Sequence, residues 1–360
     1  VQVSLRADCG KMGFTNMSPI LSALASRGLW AVTILGPAWI ATAVFLSGCA
    51  DAPGQEPPVD AAPRPDTASK SDTPTVDPLA PVVTGTVYTY KFGDTIFAVD
   101  AAKGGRIVTF SLGGRNVLIA ANSSQDLNSG STFWTSPQSE WNWPPPAEID
   151  PGPYTASVTG TTLTLTGATA GSLGLSVTKR FSIDTTASVV TIEYGLVNHG
   201  SKARQAAPWE ITRVAAAGLT FFPMGDGTPS KGSQDLLNLT IQGGIAWLAY
   251  DSKLVTKEQK VFADGREGWI AHADGNLLLV KSFTDTPTVE AAPGEAEIEM
   301  YTDAAHTYIE VENQGAYVNV AAGGTLTWTV RWFLRKLDAA ISLQLGNADL
   351  LSTVRTLVKN

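Results

Sequence analysis

Two cysteines are all the chain has, Cys9 and Cys49, and both lie in its first fifty residues. The rest therefore offers no disulfide, no metal–thiolate site and no cysteine nucleophile. Histidine is nearly as scarce. His199, His272 and His306 show no HxxxH or other metal-ligand spacing, which argues against a zinc site. Charged residues make up only 16% of the chain, the net charge is −8, and no stretch gathers lysine and arginine into a basic stripe. That balance argues against nucleic acid as a partner. A GxSxG nucleophile elbow and a phosphate-binding loop are both missing, so no metal and no cofactor is implied. Helical periodicity is missing too, until after Lys336, and no repeat of propeller length is present.

What the chain does have is glycine, 34 residues of it, and threonine wherever apolar residues alternate. That mixture suits strands joined by many turns. Thr162–Thr166 alternates strictly and stops at Gly167. Leu175, Val177, Phe181 and Ile183 form one inward set, and Val190, Ile192, Tyr194 and Leu196 another. Leu326, Trp328, Val330, Trp332 and Leu334 share a face of the last strand, opposite Thr327, Thr329 and Arg331. Beyond Lys336, Asn347 is placed to cap a short helix whose Leu350, Leu351, Val354 and Leu357 form one stripe. Many strands without alternating helices predict an all-β chain, a large antiparallel sandwich or barrel closed by that C-terminal helix.

The first 83 residues read differently. Residues 28–48 are apolar and uncharged, with Arg27 and Lys11 upstream, and end in Leu46-Ser47-Gly48-Cys49. This resembles a bacterial lipoprotein signal peptide with its lipobox, in which Cys49 is acylated and becomes the first mature residue. A run of this length also suits an uncleaved transmembrane anchor, although Pro37 and the lipobox count against that. Residues 49–83 are rich in proline and contain no aromatic residue, which predicts a disordered tether. The expected organisation is a signal peptide over 1–48, a tether over 49–83, a β-domain over 84–336 and a helical tail over 337–360. The expected location is the bacterial cell envelope, with the bilayer as a partner through acylated Cys49. Ala50 after the cysteine favours the outer membrane.

Residues 130–154, GSTFWTSPQSEWNWPPPAEIDPGPY, carry the clearest functional signal. Trp134, Trp141 and Trp143 surround Pro144, Pro145 and Pro146, with Gln138 and Glu140 between them. Three consecutive prolines exclude a core strand there and predict a loop. Flat rings beside amides and carboxylates suit a sugar, whose CH faces stack on indole while its hydroxyls meet the polar groups. The competing reading is a proline-locked lid over an ordinary core. Elsewhere, Lys179 breaks an apolar phase, either reaching a rim or pointing into a cleft. Glu210 follows Trp209 and precedes Arg213, facing either a cleft or solvent. Glu310 and Glu312 lie two apart on one strand face, where mutual repulsion can raise one pKa and prepare an acid or base; a solvated strand face is the alternative.

From about Thr84 to Lys336 the chain resembles the galactose mutarotase-like superfamily, which includes the aldose 1-epimerases. The residues that carry the likeness are Gly104-Gly105-Arg106-Ile107, Phe133-Trp134, Pro137, Trp143-Pro144, Asn198, Trp209-Glu210, Glu312 and Ala322-Gly323-Gly324. The resemblance implies a β-supersandwich with a carbohydrate ligand in its concave face. It also implies a glutamate base at Glu312, followed here by Asn313 where the family usually has proline. The family's acid is a histidine, and its position is occupied by Trp209-Glu210. Glu210 is then the expected substitute acid, with Arg106, Trp134, Gln138, Trp141, Trp143, Lys179, Trp209 and Arg213 as sugar-binding residues.

Overall fold

A computed structural model describes residues 79–121 and 127–359. The signal peptide, Cys49 and the tether up to residue 78 lie outside the described residues. Among those described, a strand already forms at Val82–Thr84 and pairs with Val87–Phe92, so regular structure starts two residues inside the segment read as tether.

Two large sheets make up the fold. Through the middle of the first, in spatial order, run Arg106–Leu112, Ser131–Ser136, Arg204–Ala215, Tyr308–Gln314, Ile298–Thr302 and Gln259–Ala263. The second includes Trp269–Asp274, Leu277–Ser282, Thr325–Lys336, Val189–Asn198 and Leu175–Asp184 as neighbours. Pairing is antiparallel throughout these strands. A parallel pairing occurs at the margin, between Asp235–Leu236 and Gln259–Ala263.

The period-two faces read from the sequence are the faces that meet. Leu175, Val177, Phe181, Ile192, Tyr194, Val330 and Trp332 are buried in the main core with Phe97, Phe110, Phe133 and Val311. Each such side chain contributes about 1.5–3 kcal/mol when fully removed from water. The outer face of the second sheet carries a smaller core around Phe221, Trp247, Trp269 and Phe333. The Ala348–Lys359 helix seals it with Leu350 and Val354, and the Asn347 side chain accepts the Leu350 N–H at 2.9 Å, as a cap should.

Two expectations are corrected here. Ser131–Ser136 is a fully buried central strand rather than part of a loop, with Phe133 stacked on Tyr194 inside the sandwich. Arg204–Ala215 pairs with it along its whole length, Arg106–Leu112 meets it at Ser131, and Pro144–Pro146 lie well past its end. Lys179 reaches neither rim nor cleft. It is buried and donates to the carbonyls of Gly104 and Gly105, at 2.6 and 3.2 Å. Those glycines sit at φ +66° and +58°, which turns their carbonyls inward, and a Cβ on Gly105 would meet Leu165 at 2.8 Å. Burial lowers the Lys179 pKa to about 7.

Candidate functional site

Register decides which side chains meet on the outer face of the first sheet. Trp134 lies opposite Trp209, Ile211 opposite Glu312, and Arg213 opposite Glu310. Glu299 lies opposite Glu312, Tyr301 opposite Glu310, and Phe262 opposite Glu299. Alternation then places Trp134, Trp209, Arg213, Tyr308, Glu310, Glu312, Glu299, Tyr301 and Lys260 on one face, drawn from five strands. These strands frame a cavity of about 480 Å³. Its aromatic wall consists of Trp134, Trp143, Trp209, Phe262, Tyr301 and Tyr308, and its polar lining includes Gln138, Glu258, Lys260, Glu295, Glu299, Glu310 and Glu312.

The polar floor is a network. Glu312 accepts from the Trp209 indole N–H at 2.9 Å and from Lys260 Nζ at 2.7 Å. Lys260 also pairs with Glu299 at 2.7 Å, and the Gln314 amide donates to the other Glu299 oxygen at 2.5 Å. Arg213 pairs with Glu310 at 2.9 Å, its guanidinium stacked over the Trp134 and Tyr308 rings. Burial works against charge on Lys260, but Glu299, Glu312 and Glu310 together outweigh it, and the Lys260 pKa is raised. Burial also raises the carboxyl pKa values of Glu295, Glu299 and Glu310, against the pull of the nearby cations.

The aromatic wall is built in layers. Trp134 meets Trp209, Trp141 and Trp143 edge to face, at 5.2, 5.6 and 5.6 Å. Asp150 accepts the Trp134 indole N–H at 3.0 Å and is itself held by Arg106 at 2.7 Å. Trp143 stands half exposed at the rim. Beyond it the segment is tied down by Gln138, whose backbone N–H donates to Glu295.

Of the residues expected from sequence, Trp134, Gln138, Trp143, Trp209 and Glu312 converge on the cavity. Trp141 and Arg213 stand directly behind it, against Trp134, Trp209 and Glu310. Three do not reach it. Arg106 is buried against Asp150 and holds the wall from behind. Lys179 is occupied by the glycine turn. Glu210 faces the opposite side of the sheet, into the sandwich, where it accepts from the Tyr194 hydroxyl, the Trp332 indole and Lys281. An acid on that face has no access to the cavity, so Glu210 is set aside as the substitute acid. No histidine serves there either: His199 contacts Ser176, His272 Thr220, and His306 Tyr250. Among the described residues no group of three or more His, Cys, Asp or Glu is arranged to hold a metal ion.

Sequence reasoning missed Lys260, Glu258, Glu295, Glu299, Tyr301 and Tyr308. A signal existed for part of this set: Glu295, Glu297, Glu299 and Tyr301 alternate with small or apolar residues. Period-two acids entering a strand point to one polar face.

This two-sheet fold is that of a galactose mutarotase-like β-sandwich. A galactose mutarotase-like protein from Lactobacillus casei ATCC 334 has a similar structure, with a TM-score of 0.53 at 11% identity over 69% of this chain and 100% of that one. The Slr1438 protein from Synechocystis sp. PCC 6803 is similar at TM-score 0.50 and 14% identity, over 71% of this chain and 99% of its own. A TPR-domain containing protein from Parabacteroides distasonis ATCC 8503 is similar at TM-score 0.51 and 13% identity, over 72% of this chain and 49% of that one. At these identities the likeness is one of fold. The chain belongs to the family described as "Domain of unknown function (DUF4380)", matched over residues 93–335. No curated protein matches it in sequence.

Proposed function

We propose that this protein binds a carbohydrate in the cavity on the outer face of the first sheet. The observation that carries this reading is the Trp209–Glu312 pair: an indole held by its own N–H to a carboxylate, at the floor of a cavity of about 480 Å³ flanked by Trp134 and Trp143. A ring with one apolar face and a hydroxylated edge needs that combination. Tryptophan fluorescence titrated with a panel of sugars tests it. A saturable change is expected, lost or weakened about tenfold in Glu312→Gln, since a hydrogen bond to a charged group contributes about 1.5–3 kcal/mol. A flat response across the panel favours a structural or adhesive envelope protein instead.

A second reading adds isomerase chemistry of the aldose 1-epimerase type. In it Glu312 takes the proton of the anomeric hydroxyl, the ring opens, and it recloses on either face. One observation favours it: Glu310, on the same strand face, is a carboxyl whose pKa burial raises, and it takes the acid role that Glu210 cannot. Against it, both Glu312 oxygens already accept hydrogen bonds. Anomer exchange of free hexoses followed by NMR separates the two readings. Exchange at the uncatalysed rate leaves binding alone.

The lipobox supports a lipid anchor at Cys49 in the outer membrane, the domain facing the periplasm or the surface. Metabolic labelling with a fatty-acid probe should mark the protein, and Cys49→Ala should abolish the label.

A further inference from the structure

Charge in the cavity narrows the ligand beyond "a sugar". Glu258, Glu295, Glu299, Glu310 and Glu312 all line it. Among the described residues two cations answer them: Lys260, shared between Glu299 and Glu312, and Arg213, spent on Glu310. Among the described residues neither Glu258 nor Glu295 makes an ion pair. The indole and phenol rings that line the same cavity carry quadrupoles whose negative faces attract a cation. A phosphorylated sugar or a uronate brings a further negative charge into this field and is excluded. A neutral sugar excludes water from half-buried Glu295 without supplying a counter-charge, which costs free energy. An ammonium group on the ring supplies that charge and keeps the CH face free to stack.

We infer that the cavity takes an amino sugar, its amine free and protonated, oriented with the ammonium toward Glu295, a half-buried lining carboxylate without an ion pair among the described residues. This rests on the carbohydrate reading above and makes it specific. The crowding of the site agrees with it: burial chiefly raises the carboxyl pKa values of Glu295, Glu299 and Glu310, and neighbouring carboxylates add to that rise.

The test is a calorimetric titration of the full chain, at a pH where the amine is protonated. The probes are glucosamine, galactosamine, mannosamine and chitosan oligomers, each against its N-acetyl counterpart and its parent hexose or hexose oligomer. At least one amino sugar should bind about tenfold tighter than both counterparts, because a charge-assisted hydrogen bond contributes about 1.5–3 kcal/mol. Its affinity should fall with added salt. Glu295→Gln should weaken the amino sugar more than the parent. If a parent or N-acetyl sugar binds as tightly as the amino form, the charge argument is overturned and the carbohydrate reading stands. If no sugar binds, both fall; choline chloride, titrated in parallel, then shows whether the cavity takes a cation that is not a sugar.

Discussion

Two glutamates near each other in the first sheet have nearly the same partners and opposite situations. Glu312 accepts from a tryptophan N–H and a lysine on the face that lines the cavity. Glu210 accepts from a tryptophan N–H, a lysine and a tyrosine on the face sealed inside the sandwich. The lysines report the difference. Burial dominates for Lys281 and lowers its pKa, although Glu210 pulls the other way. Three glutamates outweigh burial for Lys260 and raise its pKa. The same triad of residue types is thus a polar strut in one place and part of a ligand-facing floor in the other. What differs is the number of acids around each lysine and what lies on the far side.

The sealed face should break hardest. Lys281→Met leaves Glu210 charged and uncompensated between the sheets, and should lower stability by about 3–5 kcal/mol. Urea denaturation measures this. Adding Glu210→Gln should recover most of the loss, because the amide oxygen still accepts from Tyr194 or Trp332. On the open face the balance reverses. Glu312→Gln should cost only about 1 kcal/mol of stability, since Lys260 keeps Glu299 and the amide oxygen still accepts from Trp209 or Lys260. Its loss should appear in sugar affinity instead. If Glu312→Gln destabilises as much as Lys281→Met, the two faces are equivalent struts and the contrast is wrong.

Smaller effects refine the open face. Trp143→Ala at the rim should weaken sugar binding about three- to tenfold and leave stability within about 0.5 kcal/mol. The smallest expected effect is in pH dependence. Glu295, Glu299 and Glu310 hold protons more tightly folded than unfolded, so they make stability decline as pH rises above the ordinary carboxyl value of 4.5. Lys281, lowered in the fold, acts with the opposite sign and makes stability rise as pH climbs towards 10.5. Glu295→Gln should flatten the decline just above pH 4.5, read from denaturation midpoints at stepped pH. A slope unchanged in that variant would remove Glu295 from the account.

Much of the frame was legible because alternation marks a strand that is buried on one side. The Leu175–Asp184 and Thr325–Lys336 strands and the Asn347-capped helix are of that kind. Arg204–Ala215 is not: Ala206 through Val214 are all buried, so parity separates Glu210 from Trp209 and Arg213 without saying which faces a cavity. Glu210 was expected in the site because it stands where the resemblance puts the family's acid, and parity alone could not correct that. Lys260, Glu299 and Glu312 come together only through register, across three strands whose pairing no local pattern encodes. Ser131–Ser136 was misread for a related reason. The proline run just after it suggests a loop, and only its pairing with Arg204–Ala215 makes it a strand. Glu310 and Glu312 were recognisable as a pair because two acids on one strand face stand out from their apolar neighbours.

The most direct measurement is a crystal structure of the protein grown with whichever sugar gives the strongest titration response. The account predicts a pyranose in the cavity, one face against Trp209, Trp134 or Trp143 and at least one polar group within hydrogen-bond distance of Glu312 or Glu310. A sugar bound elsewhere on the sandwich, with this cavity empty, would contradict it.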